Sequence, residues 1–150
     1  MDNKETAKEL ISLCKIDIDA VHAYNQALRH LDIAGVKKEV ESFRGDHERH
    51  IKELSDAIRT FGEEPPEFSK DFKGYLLDAF TRVRSLTGAE GALKALKGGE
   101  EMTNRNYSNA VKMDFPLPLK SLIEKNYRDE QRHLNYIEQA IRDQVWKKAA

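Results

Sequence analysis

The chain carries one cysteine, four prolines and no surplus of either charge. Each shortage excludes something. Cys14 alone cannot form an intramolecular disulfide, which removes the stapled secreted scaffolds and fits a reducing compartment. Four prolines and eight glycines in 150 residues, with few β-branched runs, point to long helices. Lys+Arg 25 against Asp+Glu 26 leaves no reason to expect a nucleic-acid or anionic-membrane partner. No apolar run is long enough to span a bilayer, and Met1-Asp2-Asn3-Lys4-Glu5 lacks the apolar region of a signal segment. Glycine-rich phosphate loops and Ser/His/Asp arrangements are missing too, and nothing near Cys14 marks a nucleophile. The expectation is a single all-α domain over residues 1–150, cytoplasmic and large enough to bury a core.

What the chain does contain is a repeat. Subtracting 83 from Glu100, Asp129, Glu130, Arg132 and His133 gives Asp17, Asp46, His47, Arg49 and His50. At the same offset Tyr107 falls on Tyr24, Ala110 on Ala27, Leu134 on Ile51, and Ala140-Ile141-Arg142 on Ala57-Ile58-Arg59. Two copies of such a unit suggest two related helical hairpins closed into one bundle.

Alternating steps of three and four define four seams. They run through Leu10, Leu13, Asp17, Ala20, Tyr24 and Ala27, and through Val40, Phe43, His47, His50, Leu54 and Ala57. The other two pass through Leu93, Leu96, Glu100, Thr103, Tyr107 and Ala110, and through Ile123, Asn126, Glu130, His133 and Ile137. Turns are expected at Ile33-Ala34-Gly35, with Gly35 able to adopt the positive φ of a helix end, and at Asp114-Phe115-Pro116-Leu117-Pro118. Hairpin 1 thus covers about 4–62 and hairpin 2 about 87–147, the latter opened by a cap-like Thr87 with Glu90. Between them, about 63–86, a long crossover carries a short extra helix along Phe72, Leu76, Phe80 and Val83. His22 and His30 fall off the seams and are assigned to the surface.

Residues equidistant from a hairpin turn lie level. Asp17 with His47/His50 centres near residue 33, and Glu100 with Glu130/His133 near residue 116, so each set sits roughly 23 Å from its turn at about 1.5 Å per residue. Glu130/His133 and His47/His50 are i, i+3 pairs that share a helix face. Buried acids and imidazoles cost several kcal/mol each unless partnered, and two divalent cations would make them the organising feature of the core.

With these residues in place, the chain resembles the ferritin-like superfamily of rubrerythrins, bacterioferritins and diiron oxidases, whose signature E-x28-D-E-x-R-H is met by Glu100 through His133. Over its whole length it is most similar to a small bacterial ferritin-like family. The resemblance implies a ferritin-like four-helix bundle with metal ligands Asp17, His47, His50, Glu100, Glu130 and His133. By the same resemblance Glu130 bridges, Asp46 and Asp129 orient the ligand histidines, and Arg49 and Arg132 pair with those acids. The resemblance also implies that Tyr24 and Tyr107 would line the cavity. The cofactor would be two divalent ions, Fe foremost with Mn or Zn as alternatives, acting on oxygen or peroxide in a homodimer or small homo-oligomer.

The first half departs from the family pattern, which places Glu where this chain has Asp17 and His47. Three carboxylates and neutral imidazoles leave a two-ion site at net charge +1. An added anion completes it, or one position stays weak. The competing reading is a non-catalytic, stress-related or interaction bundle with a degenerate metal site, and a storage cage is a third.

Overall fold

The structure, a computed structural model, describes residues 1–68 and 88–148. Four long helices make up most of them: α1 Asn3–Leu28, α2 Ala34–Thr60, α3 Gly88–Ala110 and α4 Leu117–Arg142, followed by a single turn, α5, at Val145–Lys148. No strand occurs among the described residues. The all-helical architecture is therefore the one that the seams predict. The extra helix expected in the crossover and the Thr87 cap lie outside the described residues, apart from the first few positions of the crossover.

Local chemistry sets the ends. Asp2 Oδ1 accepts the Glu5 N–H at 2.8 Å while Glu5 Oε2 accepts the Asp2 N–H at 3.1 Å, a reciprocal box that stabilises the start of α1 by about 1 kcal/mol. Pro116 caps α4 and Pro118 sits in its first turn, where a missing N–H costs nothing. The first turn differs from expectation. Gly35 already belongs to α2, and the positive-φ glycines are Gly62 (76°) and Gly88 (71°). α1 needs no left-handed residue because Arg29, His30 and Leu31 donate to the carbonyls three residues back at 3.2, 2.9 and 3.3 Å. Gly62 instead closes α2, donating to Arg59 O at 3.0 Å. Beyond the last seam residue α4 continues to Arg142, and Gln144 (φ 47°) then turns the chain so that Trp146 packs against the core.

α1 packs on α2 and α3, and α4 packs on α3 and α2. Two apolar clusters fill the interior. One joins Tyr24, Leu28, Leu31, Val40, Phe43, Leu93, Leu96 and Ile137; the other joins Leu10, Leu13, Ile18, Leu54, Ile58, Tyr107, Phe115 and Ile123. Along α1 and α4 the chain passes from the second cluster to the first, and along α2 and α3 from the first to the second. Thus α2 finishes at the end of the bundle opposite to the one where α3 begins, which is why a short loop cannot join the hairpins. On every helix the polar seam residues fall between the two clusters. His22 and His30 are half-buried rather than on the surface, with the Phe68 ring 5.5 Å from that of His22.

Candidate metal centre

Asp17, His47, His50, Glu100, Glu130 and His133 are all fully buried. They form two groups able to hold a metal ion: Asp17, His47, His50 and Glu130, and then His47, Glu100, Glu130 and His133. His47 and Glu130 are common to both. All six sequence candidates are brought together.

Distances within the groups resemble the edges of coordination shells. In the first, Asp17 Oδ1 lies 2.7 Å from His47 Nδ1 and 3.0 Å from His50 Nδ1, while Glu130 Oε1 lies 3.4 and 3.3 Å from the same nitrogens. In the second, Glu100 Oε1 lies 2.9 Å from His47 Nε2 and 3.6 Å from His133 Nδ1, and Glu130 Oε2 is 3.5 Å from His133 Nδ1. Bonds of about 2.0–2.2 Å to nitrogen and oxygen set neighbouring donors about 2.9–3.5 Å apart in octahedral or tetrahedral shells. Two of these donor atoms also lack any other partner. Glu130 Oε1 and His133 Nδ1 are buried without a hydrogen-bond partner, although both face opposite charge at ion-pair range. Orphaned polar atoms are costly in a core unless something else satisfies them.

The outer faces of the histidines are fixed. His50 donates from Nε2 to Asp129 Oδ2 at 2.9 Å, and His133 from Nε2 to Asp46 Oδ2 at 2.8 Å. Each acid thus serves a histidine of the other hairpin, turning Nδ1 inward. Arg132 holds Asp46 at 2.6 Å and reaches Asp129 at 3.2 Å; Arg49 pairs with Asp129 and lies 3.2 Å from Asp46. These four charges form one network between α2 and α4 rather than separate helix-face pairs.

The tyrosines cross between hairpins as well. Tyr24 donates to Glu100 Oε1 at 2.5 Å, and Tyr107 to Asp17 Oδ2 at 2.6 Å. Burial and then the facing carboxylate, Glu100 for Tyr24 and Asp17 for Tyr107, push both phenols well above their usual range, so they stay protonated donors. Two polar residues were placed on the seams but given no role by the sequence. The single Thr103 Oγ1 proton lies within hydrogen-bond reach of both Glu100 Oε2 (2.9 Å) and Glu130 Oε2 (3.1 Å), and Asn126 donates to the Tyr107 hydroxyl at 3.3 Å. Their inward position was the available signal.

Electrostatics follow from this crowding. Burial alone would raise the Asp17 carboxyl, but the His50 charge and the hydrogen bonds from His47 and His50 outweigh it and hold the group down at about 2. Glu100 is likewise held well below its usual value by His47 and His133 against the effect of burial. Glu130 goes the other way, raised by burial and by the nearby Glu100 charge. Burial opposes charging the imidazoles, yet the surrounding acids lift His47 to about 9, His133 to about 11 and His50 to about 12. Without a metal, the layer is a set of imidazolium–carboxylate pairs. Cys14 lies outside it, its thiol raised to about 11 by burial, which outweighs the lowering effect of the Ser55 hydroxyl, and this removes it as a nucleophile at neutral pH.

No helix among the described residues is long and apolar enough to cross a membrane. None of the curated proteins compared with the chain matches it. A protein-family model described as a domain of unknown function, DUF2383, matches residues 5–113, taking in Asp17, His47, His50 and Glu100 and stopping short of α4 with Glu130 and His133. The match spans more than half of the sequence, and the chain belongs to the DUF2383 family.

Proposed function

We propose that the protein is a ferritin-like bundle that holds a dinuclear metal centre, with iron as the first candidate and manganese or zinc as alternatives. The observation carrying this reading is the pair of buried donor groups that share His47 and Glu130. Asp17 and His50 would serve one ion, Glu100 and His133 the other, with Glu130 offering one carboxylate oxygen to each. Asp46 and Asp129 would keep the ligand rings in register, while Tyr24, Tyr107 and Thr103 would steady the carboxylates. Bound iron or manganese would supply electrons and Lewis acidity for the reduction of oxygen or peroxide. The apolar clusters on either side would keep bulk water from the layer.

Metal analysis of protein purified without chelator tests the reading. Wild type should carry iron or manganese and Glu130→Ala neither, since that residue belongs to both groups. Wild type that remains metal-free after anaerobic reconstitution with Fe(II) or Mn(II) would sink it.

A second reading is favoured by one observation: His47 meets Asp17 at 2.7 Å and Glu100 at 2.9 Å, so an imidazolium can satisfy both acids with no ion present. On that reading the bundle is a non-catalytic module. Restoring Glu at positions 17 and 47 separates the two, because a sharp rise in metal occupancy and oxidase activity would mark the natural chain as the degenerate version.

A further inference from the structure

His47 stands apart from the other ligand candidates in that both of its ring nitrogens face the layer. His50 and His133 each turn one nitrogen inward and commit the other to an aspartate. His47 Nδ1 faces Asp17, with Glu130 behind it, whereas Nε2 faces Glu100. The two edges of one imidazole thus enter two different donor groups. Among the described residues, no aspartate or backbone carbonyl outside the layer claims either nitrogen.

The two departures at positions 17 and 47 are also linked in space. An imidazole is bulkier than a carboxylate at the same place, and Asp17 is one methylene shorter than its repeat partner Glu100. At 2.7 Å from Nδ1, Asp17 Oδ1 already reaches hydrogen-bond distance of the ring, so the shorter acid suffices beside the bulkier His47. Charge points the same way. Three carboxylates against two divalent ions leave one positive charge, and an imidazole that loses both ring protons supplies the missing negative one.

We propose that His47 bridges the two metal ions as an imidazolate, one ring nitrogen to each, in place of the second bridging carboxylate. This rests on the dinuclear reading above. On loading, each nitrogen gives its lone pair to a different ion, and both ring N–H protons leave to solvent. Asp17 and Glu100 then turn from hydrogen-bond acceptors of the ring to ligands of the ions beside it. The spacing of the ions follows. Bonds of about 2 Å from opposite edges of one ring hold the ions about 6 Å apart, against about 3.5–4 Å for an ordinary two-metal site.

The test is diffraction at the iron edge from wild-type crystals grown anaerobically with Fe(II), together with the double variant Asp17→Glu/His47→Glu. Wild type should give two anomalous peaks about 6 Å apart, in the plane of the His47 ring and flanking it. The double variant should give peaks drawn in to about 4 Å. Two wild-type peaks at the shorter spacing, or with His47 bound to one ion or to none, would overturn the bridge while leaving the dinuclear reading intact. A single peak would overturn the bridge and the second ion together, and no peak would remove the metal reading itself. Should the double variant fail to fold, the wild-type peak positions decide alone.

Discussion

Replacing Asp46 with alanine removes the acceptor that holds the His133 ring. Asp46 Oδ2 takes the His133 Nε2–H at 2.8 Å and Arg132 at 2.6 Å, and its side chain is only 14% exposed, so water replaces it poorly. Without it the ring is free to turn, and Nδ1 no longer points into the second donor group. Loss of such an outer partner typically costs 10–100-fold in metal affinity, or about 1.4–2.7 kcal/mol. Because Asp46 serves only His133 among the ligand candidates, the loss should fall on the ion nearer Glu100 and spare the one nearer Asp17. Asp129→Ala should do the reverse through His50. Asp46→Asn keeps an acceptor oxygen without the charge and should lose less. Chelator-competition titrations with Fe(II) under anaerobic conditions measure both sites, and circular dichroism checks the fold. Asp56→Ala is the control, since its contacts with Lys52 and Arg59 are exposed and outside the layer. The reasoning is refuted if Asp46→Ala, correctly folded, binds both ions with wild-type affinity.

Other consequences can be checked on the same protein. Tyr107→Phe strips Asp17 Oδ2 of its donor inside a sealed layer and should lower stability by about 1–3 kcal/mol; an unchanged denaturation midpoint would contradict the buried contact. In chelator, stability should fall as pH rises. His47 sits at about 9 when folded against about 6.5 when free, so its stabilisation is complete below about 6.5 and fades as pH climbs through 9, on the order of 3 kcal/mol in all. His133 and His50 extend the fall toward 11 and 12. At the acid end Asp17, held at about 2, stabilises above its unfolded value near 3.8, and that contribution is lost as pH drops toward 2. Thermal melts across pH 3–10 would show the maximum between those limits, and a midpoint rising from pH 6.5 to 9 would reverse the sign. Metal affinity should instead grow with pH over that upper range, because binding must displace imidazole protons.

Much of this was legible in the sequence because inward polar positions are rare and the repeat doubled them. The four helices and the level layer of inward acids and imidazoles follow from the spacing of apolar residues and the offset of 83, whereas the naming of six of them as metal ligands rests on the resemblance to the ferritin-like superfamily. Contacts across the hairpins were harder to read. That Asp46 serves His133, and Tyr24 serves Glu100, depends on how α2 meets α4 and α1 meets α3, and periodicity along one helix says nothing of its rotation against another. The role of Thr103 was hidden for a related reason, since a hydroxyl on a seam is an ordinary core residue until a carboxylate is placed beside it. Gly35 misled because helices also end through bonds to the third carbonyl back, which need no glycine.

The most direct measurement is an anaerobic calorimetric titration of the metal-free protein with Fe(II). Binding should saturate at two ions per chain, raise the thermal midpoint, and vanish in Glu130→Ala. Saturation below one ion, or binding that survives that substitution unchanged, would contradict a shared buried centre built on His47 and Glu130.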